Sequence, residues 1–509
     1  MVIRSHYPVV IVGAGPVGVT AATLLAQYGV ESLILDRWAG VYPQPRAVHL
    51  DDEVYRILGR IGIGEQFAAI SRPALGLRLL DPDLRELAEF RRDPSLSRHG
   101  YPQANMFDQP ELEALLRSSL ERHPMARLRM NSEVTDLGGL GDGRTRITFT
   151  DRADGSEHSL ECDYLLGCDG ANSLVRKHIG ARMRDLRFEQ RWLVVDVDSS
   201  VDLGQWDGVH QVCDPNRGGT FMRVGRSRYR WEFRLLPGES SEDFGSLAAL
   251  RPLIAPWLGS VTDDRLLLIR VAEYTFRAQL ADRWRRGNVF LLGDAAHLTP
   301  PFIGQGLCAG LRDAMNLSWK LAGVISGNLP AEALDTYQAE RKPHVRQLIL
   351  LALTVGQVMT AGGRFGTALR GFFAPRLRLV PGLAARLLDS RTPALSRSAL
   401  VRSGRRGPGL RGSRLAGTLC PNAVTATGER LDDVLGSGFA LITTVPVTQE
   451  QKEAIEKRHV TIHFAPPGTE LAGWLHRDGA RAAIVRPDFT VMSAGRDHAA
   501  LCATLPRFG

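Results

Sequence analysis

Gly13-Ala14-Gly15-Pro16-Val17-Gly18 stands near the start of this chain, and its residue types suit one task, cradling a pyrophosphate. Gly13 permits a tight turn, Gly15 lets the backbone approach the phosphates, and Gly18 lets a helix pack closely on a strand. Pro16 is suited to the first position of that helix. The free amides and the dipole of a helix start favour the negative charge. Asp36 follows at about the distance at which such sites place a carboxylate on a ribose hydroxyl, where it would repel a 2′-phosphate. Two short echoes lie downstream, Cys168-Asp169-Gly170 and Gly293-Asp294-Ala295-Ala296-His297. A cluster of titratable groups, His49, Asp51 and Asp52, could handle a proton, or could cap the helix that begins there.

The elements needed to position these residues are visible around them. Pro8 to Val12 is a β-branched apolar run, the pattern of a buried parallel strand, and Val19 to Ala26 reads as a helix. Glu31 to Leu35 is a second buried strand, and it ends at Asp36. Asp163 to Gly167 and Asn288 to Asp294 are further buried strands that lead into the two echoes. Helices are expected over Asp51 to Leu58, Gln109 to Leu120, Leu307 to Ser326 and Ala331 to about Met359, and a strand over Arg144 to Thr150. Between about Arg187 and Tyr274 the pattern changes to longer alternating strands: Trp192 to Asp198, Val209 to Cys213, Tyr229 to Leu235 and Arg265 to Tyr274. That is the signature of an antiparallel sheet inserted into the nucleotide-binding domain.

Composition narrows the class. A chain of 509 residues with 44% hydrophobic content holds two or three domains with ample core. No apolar run reaches the length of a membrane span, and the first strand begins too early to leave room for a signal peptide. The six cysteines form neither CxxC nor a zinc spacing, so no metal is expected and a reducing cytoplasm fits. The net charge of +8 is spread over scattered arginines without aromatic interleaving, which argues against nucleic acid as a partner. A mildly positive surface would instead attract an anionic reductant or an acidic substrate. There is no GxSxG elbow, so a serine hydrolase is not indicated.

The stretch from Arg386 to Arg414, rich in Arg, Ser, Gly and Pro, reads as a solvated basic linker. The remainder has strands of its own at Gly438 to Ile442, His459 to Phe464 and Ala482 to Asp488, and reads as a small separate α/β domain. The expected division is therefore 1–185 with 275–385, an inserted sheet at 186–274, a linker at 386–412 and a last domain at 413–509.

The three glycine-acid motifs in this order resemble those of the single-component FAD-dependent aromatic hydroxylases, the class A flavoprotein monooxygenases. The resemblance covers nearly the whole chain. It includes Pro45-Arg46-Ala47-Val48-His49-Leu50-Asp51-Asp52-Glu53, Gln109-Pro110-Glu111, Arg230-Trp231-Glu232-Phe233, and Gly304-Gln305-Gly306 through Asp313 to Leu321. It implies an α/β fold in which a Rossmann-like FAD-binding domain, of the type found in p-hydroxybenzoate hydroxylase, carries the inserted substrate sheet. The C-terminal segment resembles a thioredoxin-like domain, and without CxxC it would do no redox work. Carried over residue by residue, the resemblance assigns non-covalent FAD to Gly13, Gly15, Pro16, Gly18, Asp36, Arg37, Arg46, Gln109, Asp169, Gly293, Asp294, Pro301, Gly304, Gln305, Gly306 and Leu307. The loop from Pro300 to Gly306 would run along the flavin, and the helix that follows would turn its positive end toward the pyrimidine ring.

The activity implied is hydroxylation of a phenol, with NADH or NADPH as reductant and O2 as oxidant, through a flavin C4a-hydroperoxide shielded from water. His49, Asp51 and Asp52 are the candidates for the phenol base. A small aromatic molecule is the expected partner, and a homodimer is entertained without a motif that carries it. Two other readings stand beside this one: a tailoring monooxygenase acting on a polyketide, by hydroxylation or Baeyer–Villiger insertion, and a non-catalytic FAD-binding protein.

Overall fold

The computed structural model describes residues 4–41, 47–92, 95, 97–214, 216–360, 392–402 and 413–508. Arg46 and Pro45 lie outside the described residues, as does most of the 386–412 stretch.

The first sheet has eight strands, and its centre is parallel. His6–Val12 lies between Glu157–Gly167 and Ser32–Leu35, and Val289–Leu291 runs parallel to Glu157–Gly167 on the far side. The register is informative. Val12 sits opposite both Gly167 and Leu35, and Gly167 sits opposite Leu291. Gly13, Cys168, Asp36 and the Gly293 turn therefore all leave the sheet at one row, its carboxyl edge. Open α/β sheets bind their ligands outside that edge. Glu157–Gly167 is longer than the expected strand because its first half also pairs antiparallel with Thr145–Asp151.

Helix Pro16–Gln27 packs on this sheet and against the twenty-residue helix Gly306–Ile325. The contact is close because glycines form it. A Cβ at Gly310 would lie 2.6 Å from the Val17 side chain. A three-stranded sheet of His49–Asp51, Ala104–Phe107 and Ser71–Pro73 lies nearby, with His49 opposite Met106.

A second eight-stranded sheet carries the long strands Met183–Ser199 and Leu266–Ala281 beside Arg228–Arg234, Gly219–Arg223 and Val209–Val212. It differs from the expected insertion in two ways. It recruits Gly76–Leu80 and Glu86–Arg91, which the 186–274 division leaves out, and Gly76–Leu80 joins Val209–Val212 in parallel. One face buries Leu193, Val195, Phe221, Trp231 and Phe233 under helix Leu247–Leu258. Strand alternation turns Asp196, Gln211, Thr220, Arg230 and Glu232 to the other face. On that face Met222 packs against Val48 and Met106.

The C-terminal part forms a four-stranded sheet in the order Thr461–Phe464, Ala440–Thr443, Ala482–Val485, Val491–Gly495, with only the first pair parallel. With its flanking helices this is a thioredoxin-like arrangement. Part of its core is shared with the rest of the chain. Trp319 and Leu329 are buried together with Phe439, Leu441 and Phe508. The solvated-linker reading needs correction at 392–402. Leu400 and Val401 are buried, Thr392 donates to Glu53, and Ser398 donates to Glu340. Apolar and hydroxyl side chains among the arginines anchor this stretch to the body.

Candidate active site

The glycine loop has the shape of a phosphate cradle. Gly13 has φ +103°, and a Cβ there would stand 2.4 Å from the carbonyl oxygen of Cys168. Only glycine lets the first and second motifs pack at this distance. A Cβ on Gly15 would meet nothing within 4 Å, so the space in front of it is open. Pro16 is the first helical residue, and no side chain caps the helix start. Its first amides are therefore left for a ligand.

Asp36 is buried at the end of its strand, and its two carboxylate oxygens accept from the backbone amides of Ala14 (2.6 Å) and Trp38 (2.8 Å). It ties the glycine loop to the turn that follows the second strand. Arg37 is exposed, with its guanidinium 5.2 Å from the Trp38 ring centre. Sequence reasoning passed over Arg117. Its NH2 donates to the Ala14 carbonyl at 3.1 Å, and its buried Nε has no partner. Its signal was a cation in the last turn of the helix that Gln109 begins. Gln109 accepts from the Ala47 amide at 2.7 Å and so fixes the backbone there.

Asp169 accepts from Ser173 Oγ (2.5 Å) and the Val175 amide (3.1 Å), which holds the start of the short helix Leu174–His178. Burial raises its pKa. Gly293 and Asp294 form a single 3-10 turn. That turn is held from behind by Asp313, which accepts from the Gly293 amide (3.1 Å), His297 Nε2 (2.7 Å) and Arg341 Nε (2.8 Å). Asp313, His297 and Arg341 are almost fully buried.

Pro301 opens the turn that leads to Gly304, whose φ is +62°. A Cβ on Gly304 would lie 2.8 Å from His49 Nδ1, so this loop and the His49 ring are in direct contact. Gln305 is the N-cap of helix Gly306–Ile325, yet its side chain turns away from the cap. Its Nε2 donates to Asp51 (2.9 Å), and its Oε1 accepts from Arg312 (3.0 Å). Gly306 and Leu307, both partly exposed, follow as the uncapped first residues of the helix.

The candidate bases separate into three environments. Asp51 caps helix Asp52–Arg60 through the Val54 amide (3.0 Å) and takes Arg312 NH2 at 2.7 Å. Burial works to raise its pKa, but Arg312 and the donated hydrogen bonds outweigh that and hold it below the usual range. Asp51 thus caps the helix and holds Gln305, at the start of helix Gly306–Ile325. Asp52 is buried with an unpartnered Oδ1, and burial, then Asp51 and Glu53, push its pKa up to about 8. At neutral pH this favours the protonated carboxyl. His49 is pushed down to about 4 by burial and then by Arg92, and its Nδ1 has no partner. That leaves a neutral imidazole lying beside Gly304.

The sheet face that carries Glu232 is polar. Asp196 is matched by Arg230 (2.7 and 2.9 Å) and by Arg270 (2.7 Å). Glu232 is 3.9 Å from Arg230, and burial raises its pKa. Among the described residues no group of three or more His, Cys, Asp or Glu could hold a metal, and no helix is long and apolar enough to cross a membrane.

The residues present fit FAD. The open space before Gly15, the uncapped helix starts and the orphaned Arg117 Nε supply the donors that a pyrophosphate needs. Comparison with known proteins agrees. Residues 6–352 match the family described as FAD binding domain. A 3-(3-hydroxy-phenyl)propionate/3-hydroxycinnamic acid hydroxylase of Burkholderia cenocepacia (strain HI2424) is 33% identical over 95% of this chain and 93% of its own. A probable NADH-specific resorcinol 4-hydroxylase of Rhodococcus jostii (strain RHA1) is 31% identical over 98% of this chain and 94% of its own. Aklavinone-11 hydroxylase, solved with FAD and aklavinone, superposes with a TM-score of 0.78 at 26% identity, covering 98% of both chains. The chain belongs to the family of FAD-dependent aromatic hydroxylases.

Proposed function

We propose that this chain hydroxylates a small phenolic substrate, using FAD, NADH or NADPH, and O2. The observation that supports this most directly is the contact between His49 and the Gly304 loop. The curated relatives at 33% and 31% identity are named for single-ring phenols, which favours such a substrate over a fused polyketide.

In this reading Gly13, Gly15, Pro16 and Gly18 hold the pyrophosphate, with Arg117 supplying a cation and Asp36 shaping the ribose end. Arg37 stays at the surface near that end, and Arg46 is carried over from the family resemblance alone. Asp294 and the Gly293 turn hold the ribityl chain, with Asp313 and His297 bracing the turn. Asp169 keeps the second motif packed on the first, and Gln109 fixes the loop after residue 46. Pro301, Gly304, Gln305, Gly306 and Leu307 run along the ring system. When bound, FAD supplies electron transfer from the nicotinamide and the activation of dioxygen. The amides at the start of helix Gly306–Ile325 stabilise negative charge at the ring edge they face. His49, the candidate base, meets the phenol hydroxyl in this reading as a hydrogen-bond acceptor through Nδ1. Val48, Met106 and Met222 close one end of the site against water. The reading includes a cytoplasmic location, where reduced nicotinamide is at hand, and leaves a homodimer to be tested by sedimentation.

The test is turnover by the FAD-loaded protein against 3-(3-hydroxyphenyl)propionate, resorcinol and hydroxylated polyketides. Reductant consumption and product mass are measured together. One added oxygen per NAD(P)H on a phenolic ring is expected. Consumption that yields only hydrogen peroxide with every phenol contradicts the reading.

A further inference from the structure

Of the buried arginines, Arg56, Arg230, Arg312, Arg341 and Arg486 are each matched to a carboxylate within the chain, and Arg176 donates to the carbonyls of Ala295 (3.0 Å) and Ala171 (2.7 Å). Arg92 breaks this pattern. Its residue retains some accessible surface, yet its charged end is surrounded by protein closely enough that burial lowers its pKa. The His49 imidazole feels this charge, which works with burial to lower its pKa. Among the described residues no carboxylate lies within ion-pair distance of Arg92. Its guanidinium makes one long contact, NH1 to the Gln103 carbonyl at 3.5 Å. Asp51 and Asp52 offset that burial only in part. Asp51 is taken up by Arg312, Gln305 and the Val54 amide, and Asp52 holds its proton.

The backbone fixes where this cation sits. The Arg92 amide donates to the Leu75 carbonyl at 2.7 Å, where strand Glu86–Arg91 ends. Gln103 precedes strand Ala104–Phe107, in which Met106 pairs with His49. His49 in turn touches the Gly304 loop. A desolvated guanidinium without a counter-ion is costly, and a ligand that brings the anion removes the cost. The fork of an arginine suits a carboxylate or another ionised oxygen.

The geometry points to Arg92 as the residue that anchors an ionised oxygen group of the aromatic substrate, holding the ring between His49 and the sheet face. The inference rests on the hydroxylase reading for its substrate class. Its contribution is a determinant of specificity: anionic aromatics bind and their neutral counterparts bind poorly.

Equilibrium binding to the FAD-loaded protein, followed by perturbation of the flavin absorbance, tests this without turnover. The probes are 3-phenylpropionate, which carries only a carboxylate, pentafluorophenol, which is ionised at neutral pH, and neutral propylbenzene. Arg92→Met should weaken one of the two anions by about 10- to 100-fold, the worth of a charge-assisted hydrogen bond, and leave the neutral probe unchanged. The anion affected tells whether Arg92 takes a carboxylate or a phenolate. Arg92→Lys should recover part of the affinity, and it supplies the reading if Arg92→Met does not retain FAD. A wild-type protein that binds neither anion, or variants that bind both within twofold of wild type, overturn the inference. Anion binding that depends on Arg92, in a protein that hydroxylates no phenol, supports the inference and overturns the hydroxylase reading instead.

Discussion

At the scale of single residues, adjacent acids in one turn hold opposite protonation states. Asp51 faces a guanidinium and stays ionised, while Asp52 faces burial and two like charges and stays protonated to about pH 8. The ordinary value for an aspartate is near 3.8, so between that value and about 8 the folded chain binds one more proton than the unfolded chain does. Its contribution to stability is present at the low end of this window and is lost as pH rises through it. Asp52→Asn removes the titration, so the Tm difference between variant and wild type should shift in favour of the variant from pH 5 to pH 9. A difference that stays constant across that range would show that Asp52 does not titrate there. His49 is expected to act on the substrate. His49→Ala should retain FAD, slow hydroxylation by about 10²-fold or more, and divert oxygen to peroxide. Hydroxylation at the wild-type rate would move the base to another side chain, with Glu232 on the opposing sheet the next to test.

At the scale of elements, the carboxyl edge of the first sheet was legible because each signal there is local. A short apolar run leads into a glycine at Val12, and into a glycine and an acid at Gly167 and Leu291. The second sheet was legible in its long strands but not in its membership. Gly76–Leu80 pairs with Val209–Val212 across more than a hundred residues of chain, and no local pattern specifies such a partner. The same holds for the ion pairs. Arg312 pairs with Glu53 and Asp313 with Arg341, and no spacing along the chain names such partners. The loop at Gly304 offers a test of how tightly two elements are fitted. Gly304→Ala adds a Cβ at 2.8 Å from His49 Nδ1 and requires a left-handed backbone, which costs roughly 1–2 kcal/mol in an L-residue. FAD affinity should fall by about tenfold, as read by titration of the apoprotein. If the contact is the cause, His49→Ala in the same chain should restore part of the loss, and purely additive effects would assign it to the backbone alone.

At the scale of the whole molecule, helix Gly306–Ile325 is the shared beam. Its first turn follows the loop at Gly304, its middle carries Arg312 and Asp313, and its last turns reach the C-terminal part. There Lys320, Asn316, Glu340, Arg486 and Asp488 form a buried network: Lys320 bonds Glu340 at 2.8 Å and Arg486 bonds Glu340 at 3.0 Å. Burial lowers the Lys320 pKa to about 8, while Arg486 and Lys320 together overcome burial to hold Glu340 at about 2. Trp319 completes the junction by packing its ring edge-on against Phe439 and Phe508. Removing one partner from a buried ion pair leaves a charge uncompensated and costs about 3–5 kcal/mol. Arg486→Met should therefore lower the Tm by several degrees, although Arg486 lies far along the chain from every flavin motif. Truncation after residue 402 should do more, since it exposes Trp319 and Leu329 along with the charges, and an insoluble product is expected. The soluble point variant separates the two roles that the tail could have. If the helix only fixes the tail to the body, Arg486→Met keeps the wild-type ratio of product formed to reductant consumed at temperatures below its Tm. A ratio that drops while FAD remains bound would show that strain at the tail is carried along the helix to the loop at Gly304.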